Sequence, residues 1–201
     1  MEKLGQVFAA LADASFASID VEVRGEIVAH DVNVLKLAAL KGIFSRISSE
    51  QVSYVNAPLL AEQRGVAVRL LTEADSPEYR NLLTIRGSLA DGTVLSVSGT
   101  LVGAKQVQKI VEINGYDVEV PMAEHLIVML YTDRPGIVAI YGKEFGEAAI
   151  NIAGMQIARH EAGGPALSVL TVDSRVPDAL LERVRTAIDA DLMREITIVD
   201  L

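Results

Sequence analysis

Residues 126–137 read Leu-Ile-Val-Met-Leu-Tyr-Thr-Asp-Arg-Pro-Gly-Ile, and they decide how the second part of this 201-residue chain folds. Leu126 to Tyr131 is an unbroken apolar run of strand length, and Asp133, Arg134, Pro135 and Gly136 interrupt it with turn-forming residues. Downstream, Ile137 to Phe145 predicts a helix that Gly146 stops. Ile150 to Arg159 predicts a strand, Gly163-Gly164-Pro165 a turn, and Ala166 to Val172 a second strand. Pro177 opens a helix through Ile188, and Ile196 to Leu201 is expected to be the last strand. The order is β-α-β-β-α-β, a ferredoxin-like arrangement with four antiparallel strands and two helices on one face.

The residues before this stretch have a different rhythm. Met1 to Ala17 carries Leu4, Val7, Phe8 and Leu11 at helical spacing, and Ile19 to Ile27 alternates apolar and polar residues as a half-buried strand does. Asp31, as a helix N-cap, would open a helix through Phe44. Asn56-Ala57-Pro58 would open another that Gly65 closes, followed by a strand from Val66 to Leu71. Leu82–Leu89 and Val94–Leu101 flank Asp91-Gly92, and Lys105–Asn114 and Tyr116–Val120 flank Asn114-Gly115. Both dipeptides are strong hairpin signals. The fold class is therefore α+β: a mixed α+β domain over 1–123 and a ferredoxin-like domain over 124–201, joined tightly near Pro121 to Glu124. The abrupt start at Met1, with no capping residue before the first helix, is what a piece of a longer chain would show.

Composition excludes several functions. The chain carries 18 Lys and Arg against 27 Asp and Glu, a formal net charge of −9, so phosphate backbones are repelled. The charge is spread evenly: residues 1–125 hold 11 basic and 16 acidic side chains (−5), and 126–201 hold 7 and 11 (−4). Aromatics are 4% and Trp is absent, which removes a base-stacking surface, and no nucleic-acid partner is expected. There is no cysteine, hence no disulfide, thiolate metal site or thiol nucleophile. His30, His125 and His160 have no zinc-like spacing. No apolar run reaches the roughly 18–20 residues of a membrane helix, and no signal peptide is visible, so a cytoplasmic chain is expected. Phosphate-loop, dinucleotide-binding, nucleophile-elbow and zinc-protease motifs are all missing, and no catalytic residue or resident cofactor is expected.

What remains is a receptor-like loop. A strand that ends in Arg134-Pro135-Gly136 and turns into a helix at Ile137 presents backbone amides and the positive end of the helix dipole, a seat for a carboxylate. Tyr131 and Asp133 are two residues apart, so alternation would aim both to one side. Asn151, next to Ile152 at the expected start of the following strand, offers both a donor and an acceptor. Asp133 would take an ammonium group; Asn151 and the loop amides would take a carboxylate. The plain alternative is that Arg134-Pro135-Gly136 is only a strand-to-helix turn.

The segment Tyr131–Arg159, with its Asp-Arg-Pro-Gly loop and Ile150-Asn151-Ile152 entry, resembles the ACT domain, a regulatory module that binds amino acids between copies. Earlier segments add to this: Val21-Glu22-Val23-Arg24-Gly25-Glu26, Tyr54-Val55-Asn56-Ala57-Pro58, Ala61-Glu62-Gln63-Arg64-Gly65, Ser98-Gly99-Thr100-Leu101 and Ile110-Val111-Glu112-Ile113-Asn114-Gly115. Together they resemble the intervening domain of long-form D-3-phosphoglycerate dehydrogenases, which precedes an ACT domain there. The resemblance implies a regulatory part of an NAD-dependent enzyme of L-serine biosynthesis, with NAD bound by the parent enzyme and not by this chain. It further implies homo-oligomerisation through ACT domains and feedback inhibition by L-serine or a similar small amino acid. The matching effector residues are Tyr131, Asp133 and Asn151, with Arg134, Pro135, Gly136 and Ile137 supplying the loop and Ile152 the strand entry. Many family members carry His and Asn at the positions of Tyr131 and Asp133. Lys109 is the one candidate for an intervening-domain anion site, set among Glu112, Asp117, Glu119 and Glu124. Two other readings stay open: the small subunit of an iron–sulfur L-serine dehydratase, whose Ser-Ser-Ser-His segment has no counterpart beyond Ser48-Ser49-Glu50, and a stand-alone amino-acid sensor.

Overall fold

A computed structural model describes residues 1–201, and packing divides them into two compact units, Met1–Gly115 with Val199–Leu201, and Tyr116–Ile198. In the first unit, α1 (Glu2–Leu11) leads into β1 (Phe16–Gly25), a short 3-10 turn (Glu26–Ala29), α2 (Asn33–Ile47) and α3 (Ala57–Gln63). The strands β2 (Ala67–Glu73), β3 (Asn81–Leu89), β4 (Val94–Val102) and β5 (Val107–Ile113) follow. Within this unit the strands lie in the order β2-β1-β3-β4-β5, with β1 and β2 parallel and the other neighbours antiparallel.

The alternation in β1 buries Ile19, Val21 and Val23, and the helical spacing in α1 buries Leu4, Val7, Phe8 and Leu11. α1 ends well before Ala17. Ala12 is extended, and the chain reverses so that the Phe16 ring stacks on Phe8 at 5.1 Å. β1 likewise stops short of Ile27 at Gly25, whose φ of +98° favours glycine and where a Cβ would meet the Arg80 carbonyl oxygen at 2.1 Å. Asp31 lies outside the helix it was expected to cap: α2 begins at Asn33, although the Asp31 Oδ1 does accept the Asn33 amide at 3.0 Å. Both hairpin signals form turns. Gly92 has a φ of +89°, and Asn114 and Gly115 have 50° and 82°, the paired positive values of a type I′ turn. α1 and α2 approach closely because Gly5 and Gly42 stand at their crossing. A Cβ on Gly42 would lie 2.0 Å from the Glu2 carbonyl oxygen.

The second unit starts earlier than residue 124. β6 (Tyr116–Pro121) buries Val118 and Val120 and lies against β8 (Ile152–Arg159), and Tyr116 stacks on His160 at 4.6 Å. These contacts move the packing boundary from Pro121–Glu124 back to Gly115. The remaining elements are β7 (His125–Thr132), α4 (Ile137–Glu147), β9 (Pro165–Val172), α5 (Asp178–Ile188) and β10 (Leu192–Thr197). The sheet order is β10-β7-β9-β8, every neighbour pair antiparallel, in the β-α-β-β-α-β sequence expected. One face packs on the helices through Ile127, Met129, Tyr131, Tyr141, Phe145, Leu170 and Val184.

The last strand is displaced from Ile196–Leu201. Asp189 ends α5 in a left-handed conformation (φ 54°, ψ 54°), so the chain reverses within two residues and β10 is already paired with β7 at Leu192. Val199–Leu201 leave the second unit and join the first, where the Gln6 amide donates to the Val199 carbonyl at 2.8 Å and its Oε1 accepts the Val199 amide at 3.0 Å.

Two glycine substitutions of opposite sign check this packing. Gly42→Ala forces α1 off α2 and is expected to cost about 3 kcal/mol, the upper range for overpacking. Gly142→Ala, in α4 with open space around the added Cβ, is expected to stabilise by about 0.5–1 kcal/mol through helix propensity. Urea unfolding of the two variants measures both.

Candidate functional site

Every residue of the expected receptor lies in the second unit. The ladder fixes where each one goes. Along β9, Ala166 faces both Tyr131 on β7 and Arg159 on β8, while Val172 faces His125 on β7 and Ile152 on β8. Tyr131, the Asp133–Ile137 loop and Arg159 therefore gather at one end of the sheet. Asn151, immediately before Ile152, sits at the other. At ~3.4 Å per residue the ends are about 20 Å apart. One copy of the chain does not bring Asn151 to Asp133.

The local environments differ from what alternation alone predicts. Tyr131 is 1% exposed and belongs to the core between the sheet and the helices, its hydroxyl 2.7 Å from the buried Ser168 hydroxyl. Burial raises its pKa above the usual tyrosine value, with a smaller push from Asp133, against a lowering by the Ser168 hydrogen bond. Tyr141, from α4, stands beside this pair. Its hydroxyl contacts the Met155 Sδ at 2.9 Å, and burial pushes its pKa up to about 12. Tyr131 thus supports the loop from below and offers no open face.

Asp133 lies beyond the end of β7, so the strand's alternation no longer governs it. Its amide donates to the Gly164 carbonyl at 2.9 Å, and its carboxylate pairs with the Arg159 guanidinium. Arg134, Pro135 and Gly136 are exposed. Gly136 caps α4 in a left-handed conformation (φ 95°, ψ −14°), and its carbonyl accepts the Ile140 amide at 3.1 Å. The side chains of Ile137 and Ile152 pack into the core, so these two can contribute only backbone. Asn151 is exposed, its Nδ2 donating to Asp173 Oδ2 at 2.7 Å. Sequence alone gives Arg159 and Ser168 no role in a site and reads Asp173 as a surface or cap residue. The β8–β9 register, counted across the Gly163-Gly164 turn, carries the signal that pairs Arg159 with the end of β7.

Lys109 lies in the first unit, half-buried on β5 opposite Thr100. Nearby on that strand, Glu112 is bound by the Ser96 hydroxyl at 2.6 Å, the Ser98 hydroxyl at 2.7 Å and the Gly115 amide at 2.5 Å. No group of three or more His, Cys, Asp or Glu is gathered that could hold a metal ion, and no helix is long and apolar enough to cross a membrane.

Residues 1–114 match the family described as the D-3-phosphoglycerate dehydrogenase intervening domain. The chain belongs to that family. The likeness continues past the intervening domain. A D-3-phosphoglycerate dehydrogenase of Mycobacterium leprae is 36% identical over 196 residues, 98% of this chain and 37% of the relative. One from Methanocaldococcus jannaschii is 30% identical over 92% of this chain and 34% of the relative, and one from Bacillus subtilis 25% over 93% and 35%. The chain thus spans little more than a third of the length of these curated relatives. The intervening-domain assignment covers the first unit almost to its boundary at Gly115.

The tyrosine pair gives two measurable consequences. Tyr131→Phe removes the hydrogen bond between the Tyr131 and Ser168 hydroxyls and is expected to cost about 1 kcal/mol in urea unfolding. Tyr141 binds its proton more tightly when folded, so its contribution is complete below the ordinary tyrosine pKa near 10 and is lost as pH rises towards 12. Stability is expected to fall more steeply across about pH 10–12 in the parent protein than in Tyr141→Phe, read from unfolding midpoints at each pH.

Proposed function

We propose that this chain is the regulatory part of a D-3-phosphoglycerate dehydrogenase, and that its second unit is an ACT domain binding L-serine, or a close small polar amino acid, at a seam between two copies. Catalysis, with NAD as the oxidant of 3-phosphoglycerate, would belong to parts of the enzyme outside this chain. The sequence match to dehydrogenases of that name over nearly the whole chain supports the parent enzyme.

The observation that carries the seam is the separation of Asn151 from the Asp133–Arg159 pair, which stand at opposite ends of β8. β8 is an edge strand, and an unpaired strand edge is a template for a second one. Two β8 strands pairing antiparallel about a two-fold axis between Met155 and Gln156 would set Ile152 of one copy opposite Arg159 of the other. Asn151 then falls beside the Asp133–Arg159 pair of the neighbouring copy, and two equivalent sites form. A single copy holds two half-sites; a symmetric pair completes both.

Control follows from assembly. A ligand that touches both copies stabilises the arrangement in which they are joined, and it shifts the enzyme by its differential affinity for the joined and parted forms. Coupling of about 1–3 kcal/mol is the usual range.

Calorimetric titration with L-serine is expected to show binding, near one site per Asp133 loop, and sedimentation to show a dimer or larger. Asn151→Ala is expected to weaken binding by about 1–2 kcal/mol, or roughly 5- to 30-fold. A monomer that binds no amino acid from a broad panel would overturn the reading.

A further inference from the structure

The sequence pattern leaves the ligand's carboxylate to Asn151 and the loop amides, yet the structure puts a guanidinium beside Asp133. We infer that Arg159 is the carboxylate receptor of the site and that the Asp133–Arg159 pair, taken as a unit, selects zwitterions. This rests on the amino-acid-binding reading above and names the group that sets its specificity.

The pair leaves part of its hydrogen-bonding capacity unused. Arg159 reaches Asp133 through Nη1, to Oδ2 only. The Nε and Nη2 hydrogens of the guanidinium remain, and these form the planar fork that matches a carboxylate with two parallel hydrogen bonds. On the other partner, Oδ1 of Asp133 is outside the pair, an acceptor for an ammonium group. Exposure runs the right way as well: the Arg159 side chain is 52% exposed and that of Asp133 23%, so the cation faces solvent more fully and the acid sits further in.

Position is fixed by backbone on both sides. The Asp133 amide is tied to the Gly164 carbonyl at 2.9 Å, and Arg159 is held opposite Ala166 in the β8–β9 ladder. Plus and minus charges are thus presented side by side at the end of one sheet, on elements that are themselves hydrogen-bonded. An α-amino acid carries the complementary arrangement, minus and plus on one carbon. Such a ligand can dock on the remaining edges of both groups without parting them, and even parting them is undemanding because a half-exposed ion pair is weakly held. A ligand with only one of the two charges meets one matched and one mismatched partner. The same pair therefore attracts the zwitterion and repels its single-charge analogues, the combination specificity requires.

The test compares L-serine, L-serinamide (ammonium without carboxylate) and 3-hydroxypropanoate (carboxylate without ammonium) on the full 201-residue chain by calorimetry. The parent protein is expected to bind L-serine at least 10-fold more tightly than either analogue. Arg159→Gln is expected to lose at least 10-fold for L-serine and to bind L-serinamide about as well as L-serine. Arg159→Lys, which keeps the charge but not the fork, is expected to fall between. Circular dichroism and melting midpoints identify any variant that fails to fold, and the preference of the parent protein among the three ligands stands as a test that needs no variant. If Arg159→Gln keeps both its affinity and its preference for L-serine, Arg159 is not the receptor while the amino-acid reading survives. If the parent protein binds none of the three, the inference falls together with that reading.

Discussion

Strand β9 is hydrogen-bonded on both sides, to β7 through residues 165–172 and to β8 across nearly the same span. This double ladder is the constraint on which the site depends. It sets Asp133 and Arg159 at one end and Asn151 and Asp173 at the other, and no side-chain rearrangement can bring the ends together. A slip of one residue in either register would turn Tyr131 or Ser168 out of the core and strand the partner's hydroxyl in apolar surroundings. The buried Tyr131–Ser168 hydrogen bond therefore does more than satisfy two polar groups: it penalises the alternative registers and so fixes where the charged pair stands.

The same constraint explains how the two helices are used. α4 starts at Ile137, directly after its cap Gly136, and fills the space over the sheet with Ile137, Tyr141 and Phe145, all buried. The loop is thus anchored at both ends, by β7 before it and by Ile137 after it, while Arg134 and Pro135 stay exposed between. Rigid ends with an exposed middle would keep the backbone of the proposed binding loop preorganised at little entropic cost on binding.

Much of this was legible in the sequence. Asp91-Gly92 and Asn114-Gly115 marked hairpins because few other residue pairs tolerate the required positive φ, and the alternation in Ile19–Val23 marked a strand with one buried face. The β-α-β-β-α-β order came from punctuation by Pro and Gly. Other features were illegible for physical reasons. Tyr131 and Asp133 share a parity, but parity holds only inside a strand, and β7 ends at Thr132 between them. Whether a tyrosine at a strand end points into a core or a cleft depends on what lies above it, here Ser168 and Tyr141, ten or more residues away in sequence. The displaced β10 turned on Asp189 adopting a left-handed conformation, which a non-glycine residue rarely does and which local sequence does not announce. The boundary at Gly115 rests on β6 packing against β8, a contact between segments more than thirty residues apart that local sequence does not announce.

Placing the half-sites at opposite ends of an edge strand has a consequence for regulation that a self-contained pocket would lack. In the proposed seam, each ligand bridges two copies, so ligand affinity and copy–copy affinity are linked and must change by the same factor. Weakening the edge pairing of β8 lowers ligand affinity even when every residue that touches the ligand is intact, and removing the ligand loosens the assembly even when the edge is intact. A pocket complete within one copy would show no such reciprocity. In the proposed seam, oligomerisation and effector recognition would thereby form a single equilibrium, with the strand edge supplying the association and the charged pair the choice of ligand.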